Sequence, residues 1–176
     1  MIAVCAVAGV YGGAWVLWGH PRDTFRTDRL ARDAVRGLLA GLALAGVFAV
    51  GALLVREIPP LAAPVEDLLD HASAGRLVPV ALITSVSGIA EELFYRRTAV
   101  LTLPGGSQTR VLVALLLFMA VSATMGVHLL VFAAAIVGIV AAAEALRTQS
   151  LTSPIVLHGV WSLSMLLILP ALLSTS

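Results

Sequence analysis

Apolar residues run along this chain in unbroken stretches rather than at alternating or one-sided helical intervals. Leu77 to Ala90, LVPVALITSVSGIA, holds no charged residue. Six segments are comparably oily: Ile2–Trp18, Gly37–Val55, Leu77–Phe94, Val111–Met125, Val127–Leu146 and Pro154–Leu173. A helix needs about 20 mostly apolar residues to cross a bilayer, so the pattern predicts an all-α, polytopic membrane helix bundle of about six transmembrane helices. The fourth and fifth segments meet at Ser122-Ala123-Thr124-Met125-Gly126, which predicts a tight helical hairpin, and Pro154 is placed to open the last helix. No repeat or low-complexity tract divides the chain, and it reads as a single transmembrane domain over residues 1–176.

Composition strengthens this reading. The chain is 60% hydrophobic and 12% charged, with mean hydropathy +1.01, whereas soluble domains are about half apolar and about a quarter charged. A net charge of +1 gives no reason to expect nucleic acid as a partner. Cys5 has no second cysteine for a disulfide or a thiolate metal site. The apolar N-terminus lacks a basic n-region and is expected to be a retained first helix rather than a signal peptide.

The basic residues, all arginine, orient the bundle. Arg22, Arg26, Arg29, Arg32, Arg36, Arg96, Arg97, Arg110 and Arg147 fall in one set of alternate connections, and Arg56 and Arg76 in the other. The arginine-rich end should be cytoplasmic and both termini outside. The expected location is the bacterial cell membrane, with the lipid bilayer as the immediate partner. In PVEDLLDHA, Val65, Leu68 and Leu69 alternate with Glu66, Asp67 and Asp70 at helical spacing, which suggests a short helix lying at the outer interface.

Against that background Ala90-Glu91-Glu92-Leu93-Phe94-Tyr95-Arg96-Arg97 stands out. A carboxylate inside a bilayer costs roughly 2.5–3.5 kcal/mol at mid-helix and less near the ends. One explanation is structural: both glutamates snorkel to the headgroups, with Glu92 paired to Arg96 at i,i+4. The other uses the roughly 100° that separates adjacent helical residues. Arg96 then holds one carboxylate while the other faces the bundle interior, where desolvation and a neighbouring like charge make a general base or a shared-proton pair. His158, near the start of the sixth segment, is expected at a depth similar to that of Glu91. It is either a histidine satisfied by a bundle hydrogen bond or part of a common site with Glu91; Ser162 follows one turn later on its face. His128 opens the fifth segment at the opposite, outer end, and Ser122 lies deeper, on the Phe118 face. Trp15 and Trp18 read as an interfacial aromatic belt. Gly9-x-x-x-Gly13 and Gly37-x-x-x-Gly41 can seat close helix contacts. Glu144 with Arg147 reads as an i,i+3 pair. There is no phosphate-binding loop, dinucleotide fingerprint, His-Glu-x-x-His or Gly-x-Ser-x-Gly.

Taken in order, these residues resemble the CPBP family, the CAAX-protease and bacteriocin-processing (Abi) intramembrane proteases. The family pattern is Glu-Glu-x-x-x-Arg, then Phe-x-x-x-His, then His-x-x-x-Asn, each on a membrane helix. EELFYR supplies Glu91, Glu92 and Arg96, and LRTQSLTSPIVLHGVWSL places His158 in the final histidine position; the similarity covers about residues 77–166. The middle motif is best matched by Phe118-Met-Ala-Val-Ser122, with Ser122 in the histidine slot. His128 can be aligned there instead, with Thr124 then replacing the phenylalanine. Ser162 stands where asparagine is usual.

The resemblance implies hydrolysis of a membrane-embedded or lipidated peptide. Glu91 would activate water, Glu92 and Arg96 would set its orientation and charge, and His158 would polarise the water or stabilise the oxyanion. It leaves the metal open. Zinc wants about three protein ligands, and the available donors are Glu91, His158 and either Glu92 or His128. The alternative implied by Ser122 and Ser162 is a catalytically silent relative acting in binding, scaffolding or bacteriocin-type immunity. A small transporter using Glu91 and Glu92 as a proton site fits the carboxylates but not the context of His158.

Overall fold

The computed structural model describes residues 2–73 and 77–173, and every regular element among them is helical. In chain order these are α1 (Ile2–Trp18), the single turn α2 (Pro21–Thr24), α3 (Leu30–Val55), α4 (Pro59–Ser73) and α5 (Leu77–Glu92). A π-helical segment (Leu93–Thr98) then runs into α6 (Ala99–Thr102), followed by α7 (Ser107–Ala123), α8 (His128–Thr148) and α9 (Thr152–Leu173). Four helical runs are long and apolar enough to cross a membrane: Leu30–Val55, Leu77–Thr102, His128–Thr148 and Thr152–Leu173. Two shorter apolar helices, Ala3–Trp18 and Ser107–Ala123, accompany them. Leu39, Val47, Leu54, Val78 and Leu82 are each more than half exposed. An exterior of that kind belongs in lipid, where helices satisfy their own backbone groups. The chain is an integral, polytopic membrane helix bundle.

Two boundaries matter for the site. The third apolar segment, expected to end at Phe94, continues unbroken to Thr102. Glu91 therefore lies about three turns from the end of its helical run. The reason lies after Glu92, where the chain widens instead of stopping. Ala99 N–H bonds to the Phe94 carbonyl and Thr98 Oγ1 donates to the Leu93 carbonyl, both spanning five residues. The helix expected in the second connection is present as α4, while the side chains of Glu66, Leu68, Leu69 and Asp70 lie outside the described residues.

Small residues set the tightest packing. α3 lies along α9, and a Cβ at Gly37 would collide with the Ser153 carbonyl, while one at Gly41 would stand 2.7 Å from the Leu157 oxygen and 2.9 Å from Val160 Cβ. The second Gly-x-x-x-Gly pair thus seats a helix crossing. The first does not, since a Cβ at Gly9 or Gly13 would meet nothing within 4 Å.

At the arginine-rich end, Glu144 does more than pair with Arg147. It is buried and accepts from Arg36 Nε and Nη2, each at 3.2 Å, and from Ser153 Oγ at 2.8 Å; the exposed Arg147 stands 3.7 Å away. A two-pronged guanidinium–carboxylate contact on a buried acid ties α3, α8 and α9 together. Nearby, Thr24 is buried, receives the Trp15 indole N–H at 3.0 Å and offers its carbonyl to Leu151 N–H. Trp15 therefore braces this end, while Trp18 remains 57% exposed, as an interfacial residue would be.

Two outcomes are expected. Gly41→Leu should lower the thermal midpoint in detergent by the equivalent of about 1–3 kcal/mol, whereas Gly9→Leu should leave it unchanged; equal effects would refute the assigned crossing. In a Cys5→Ser background, Met125→Cys should react with an impermeant reagent applied outside intact cells and Gln149→Cys should not. The reverse labelling would invert the orientation.

Candidate active site

Adjacent carboxylates diverge on a helix, and here the divergence sends them to different partners. Glu92 has no solvent exposure. Its Oε1 lies 2.8 Å from His158 Nδ1, in the second turn of α9, and its Oε2 lies 3.2 Å from Arg96 Nε. Beside a guanidinium Glu92 is an acceptor, so Nδ1 is the donor, and the ring turns its other nitrogen toward Glu91. His158 Nε2 stands 3.8 Å from Glu91 Oε2, too far for a direct hydrogen bond. The Glu91 side chain keeps 25% of its surface exposed, and Ser87 Oγ donates to Oε1 at 3.1 Å from one turn earlier.

The structure thus brings Glu91, Glu92, Arg96 and His158 together across α5, the π-helical segment and α9. The π-helical turn carries the second half of the motif, a location that such turns favour. Aromatic rings wall the cluster. Phe118 of α7 lies under the Arg96 guanidinium at 4.7 Å and its centroid is 6.3 Å from that of His158. Trp161 approaches the imidazole from α9 with centroids 6.2 Å apart. Tyr95 is buried against Phe118, and its hydroxyl meets that of Tyr11 at 2.6 Å, which fastens α1 to the motif.

None of the other candidates hydrogen-bonds to Glu91, Glu92, Arg96 or His158 among the described residues. Ser122 is near the end of α7, one turn past Phe118, and its hydroxyl donates to the Phe118 carbonyl at 3.0 Å. Ser162 is half-buried one turn beyond His158. His128 is exposed at the start of α8. Sequence reasoning passed over Ser87 and Tyr11. Ser87 was signalled only by its i−4 spacing from Glu91, and Tyr11 by nothing in the pattern.

These donors do not fit zinc. Nδ1 is committed to Glu92 and Glu92 to Arg96, which leaves His158 Nε2 and Glu91, two donors where zinc wants about three. Among the described residues no group of three His, Cys, Asp or Glu side chains is placed to hold a metal ion. What remains is a carboxylate with access to solvent, next to an imidazole whose orientation a buried charge pair holds.

The two carboxylates should respond differently to neutralisation. Glu92→Gln leaves Arg96 buried without its counter-charge and should cost about 3–5 kcal/mol of stability. Glu91→Gln should cost less than about 1 kcal/mol, because that group is partly solvated. Thermal unfolding of both variants in one detergent separates them, and matched losses would contradict the division of roles.

Residues 73–164 match the family model described as type II CAAX prenyl endopeptidase Rce1-like. No curated protein and no solved structure matches the chain.

Proposed function

The chain belongs to the type II CAAX prenyl endopeptidase Rce1-like family, and from that membership together with the Glu91–His158–Glu92 cluster we propose that it is an intramembrane endopeptidase. Its substrate on this reading is a membrane-embedded or lipidated peptide. The observation that carries the reading is His158 held by a fully buried Glu92 with its second nitrogen turned toward a partly exposed Glu91.

In the proposed step, a water hydrogen-bonded to Glu91 gives up one proton to that carboxylate as its oxygen attacks the scissile carbonyl. The electron pair of the C=O bond moves to the carbonyl oxygen, while His158, kept in register by Glu92, accepts a hydrogen bond from the attacking water at Nε2 and orients it. Collapse of the tetrahedral intermediate breaks the C–N bond, and the proton on Glu91 passes to the departing amine. Arg96 does not touch the reacting atoms; its guanidinium faces Glu92 and keeps that carboxylate in place. Bilayer and aromatic walls exclude bulk water, so these few dipoles act in a medium that screens them weakly.

One observation favours a second reading, a non-catalytic relative. α7 contributes Phe118 to the cluster and no polar side chain, because Ser122 bonds to its own helix. Activity decides between the two. With the purified protein and a fluorogenic lipidated peptide, Glu91→Gln should reduce cleavage by about 10²–10⁴-fold while the protein stays folded, and Ser122→Ala should change it little. Cleavage that survives Glu91→Gln at full rate would remove Glu91 as the base. Cleavage absent from the unaltered protein would favour the silent relative.

A further inference from the structure

The arginines at one end of the bundle divide into those with a partner in the protein and those without. Arg36 and Arg147 face Glu144, Arg96 faces Glu92, and Arg97 Nε donates to the Gly19 carbonyl at 2.9 Å. Arg22, Arg29 and Arg32 are exposed, and their side chains have no partner among the described residues. Arg26 has only a 4.0 Å approach to Asp23, with both side chains largely solvated. These four gather on the connection from α1 to α3, and that connection is two-faced. Thr24 and Asp33 turn inward and are buried, the Asp33 carboxylate accepting from Thr27 Oγ1 at 2.9 Å. Outward stand the four guanidinium groups together with Trp18, Phe25 and Leu30, all three exposed. The exposed acids among them are Asp23 and Asp28, two against four.

We propose that this outward face binds the phosphate headgroups of anionic phospholipids at the arginine-rich end of the bundle. Exposed Trp18, Phe25 and Leu30 set it at the boundary of the hydrocarbon, the depth that aromatic rings favour. The nearest phosphates there are those of lipid, and a planar guanidinium matches two phosphate oxygens at once. Basic clusters next to a membrane helix gain binding from each arginine brought near an anionic surface. A zwitterionic headgroup balances its own phosphate, so the excess of guanidinium selects lipids of net negative charge. That excess is small for nucleic acid, which draws on many phosphate contacts. On its inward side the same connection touches both halves of the candidate site. Gly19 receives Arg97 of the π-helical segment, and the Thr24 carbonyl receives Leu151 N–H at 3.1 Å, just before α9 and His158. Headgroups on the outward face thus steady a strap between the π-helical segment and α9.

The test reconstitutes the full chain in bilayers of equimolar phosphatidylcholine and phosphatidylglycerol, with brominated chains on one lipid at a time. Quenching of tryptophan fluorescence reports which lipid lies beside Trp18, and Trp18→Phe gives the share that belongs to Trp15 and Trp161. Brominated phosphatidylglycerol should compete for the site about tenfold better than brominated phosphatidylcholine. Combining Arg22→Gln, Arg26→Gln, Arg29→Gln and Arg32→Gln should abolish the preference, whereas Arg56→Gln at the opposite end should leave it intact. Equal quenching by the two lipids overturns the proposal, as does a preference that survives the four exchanges. If the combined variant does not fold, the unaltered protein still decides. Its thermal midpoint in nonionic detergent should rise with added phosphatidylglycerol and not with phosphatidylcholine, and matched midpoints overturn the site. Sodium phosphate that removes the preference where sodium chloride of equal ionic strength does not assigns the face to free phosphate and equally overturns it. None of these measurements involves cleavage, so they decide the lipid site whether or not the chain is a peptidase.

Discussion

A carboxylate with no solvent exposure inside an apolar helix bundle has to be matched in charge and geometry, and Glu92 is matched from two directions. Arg96 approaches along its own helical run and His158 from α9. Several other features follow from this one requirement. The π-helical segment lets the run continue to Thr102 while Tyr95 and Arg96 turn inward, where an ordinary helix end at Phe94 would have released Arg96 to the headgroups. Phe118 supplies a ring face to the guanidinium, which is weakly hydrated enough to accept one. α9 must then stay within hydrogen-bond reach of α5. Gly37 and Gly41 help on its other side by letting α3 pack directly against the backbone at Ser153 and Leu157, flanking His158.

This arrangement divides labour between two residues of identical chemistry. Glu92 is wholly enclosed and spent on its partners, so its charge orients His158 and is not available to a substrate. Glu91, turned about 100° away, keeps contact with solvent and one light tether from Ser87. A general base needs access to water and freedom to change protonation state; an orienting group needs neither. On the endopeptidase reading the same Glu-Glu dipeptide serves both needs, because helical geometry points its two halves into different surroundings.

The division was partly legible in the sequence. Charge-free runs of near-spanning length announce membrane helices, since nothing but a bilayer or a large core tolerates them, and the Glu92–Arg96 spacing announced their pairing. What periodicity could not show was where the helix ended. A π-helical turn leaves no mark in the order of apolar residues, so Phe94 looks like a terminus although the helical run continues to Thr102. Glu144 was legible only in part, for a related reason. Its i+3 neighbour Arg147 is visible in one dimension, while Arg36 and Ser153 reach it only once α3 and α9 are packed. The two Gly-x-x-x-Gly patterns were indistinguishable as strings, and only the neighbouring helix separates the pair that seats a contact from the pair that does not. Ser122 drew attention as a polar residue in a histidine slot, yet a serine in a membrane helix can satisfy itself on the carbonyl four residues back, and this one does.

The middle motif therefore bears on more than a missing ligand. The family pattern puts a histidine at Ser122, one turn past Phe118, and here that side chain bonds to its own helix. Phe118 sits within reach of the site instead, packed on Arg96 and against His158. A ring there offers no proton, but it removes water from around the ion pair and so strengthens each charge on the other. Any chemistry at this site must then come from a small set: one accessible carboxylate and one oriented imidazole, supported through Glu92 by a buried arginine.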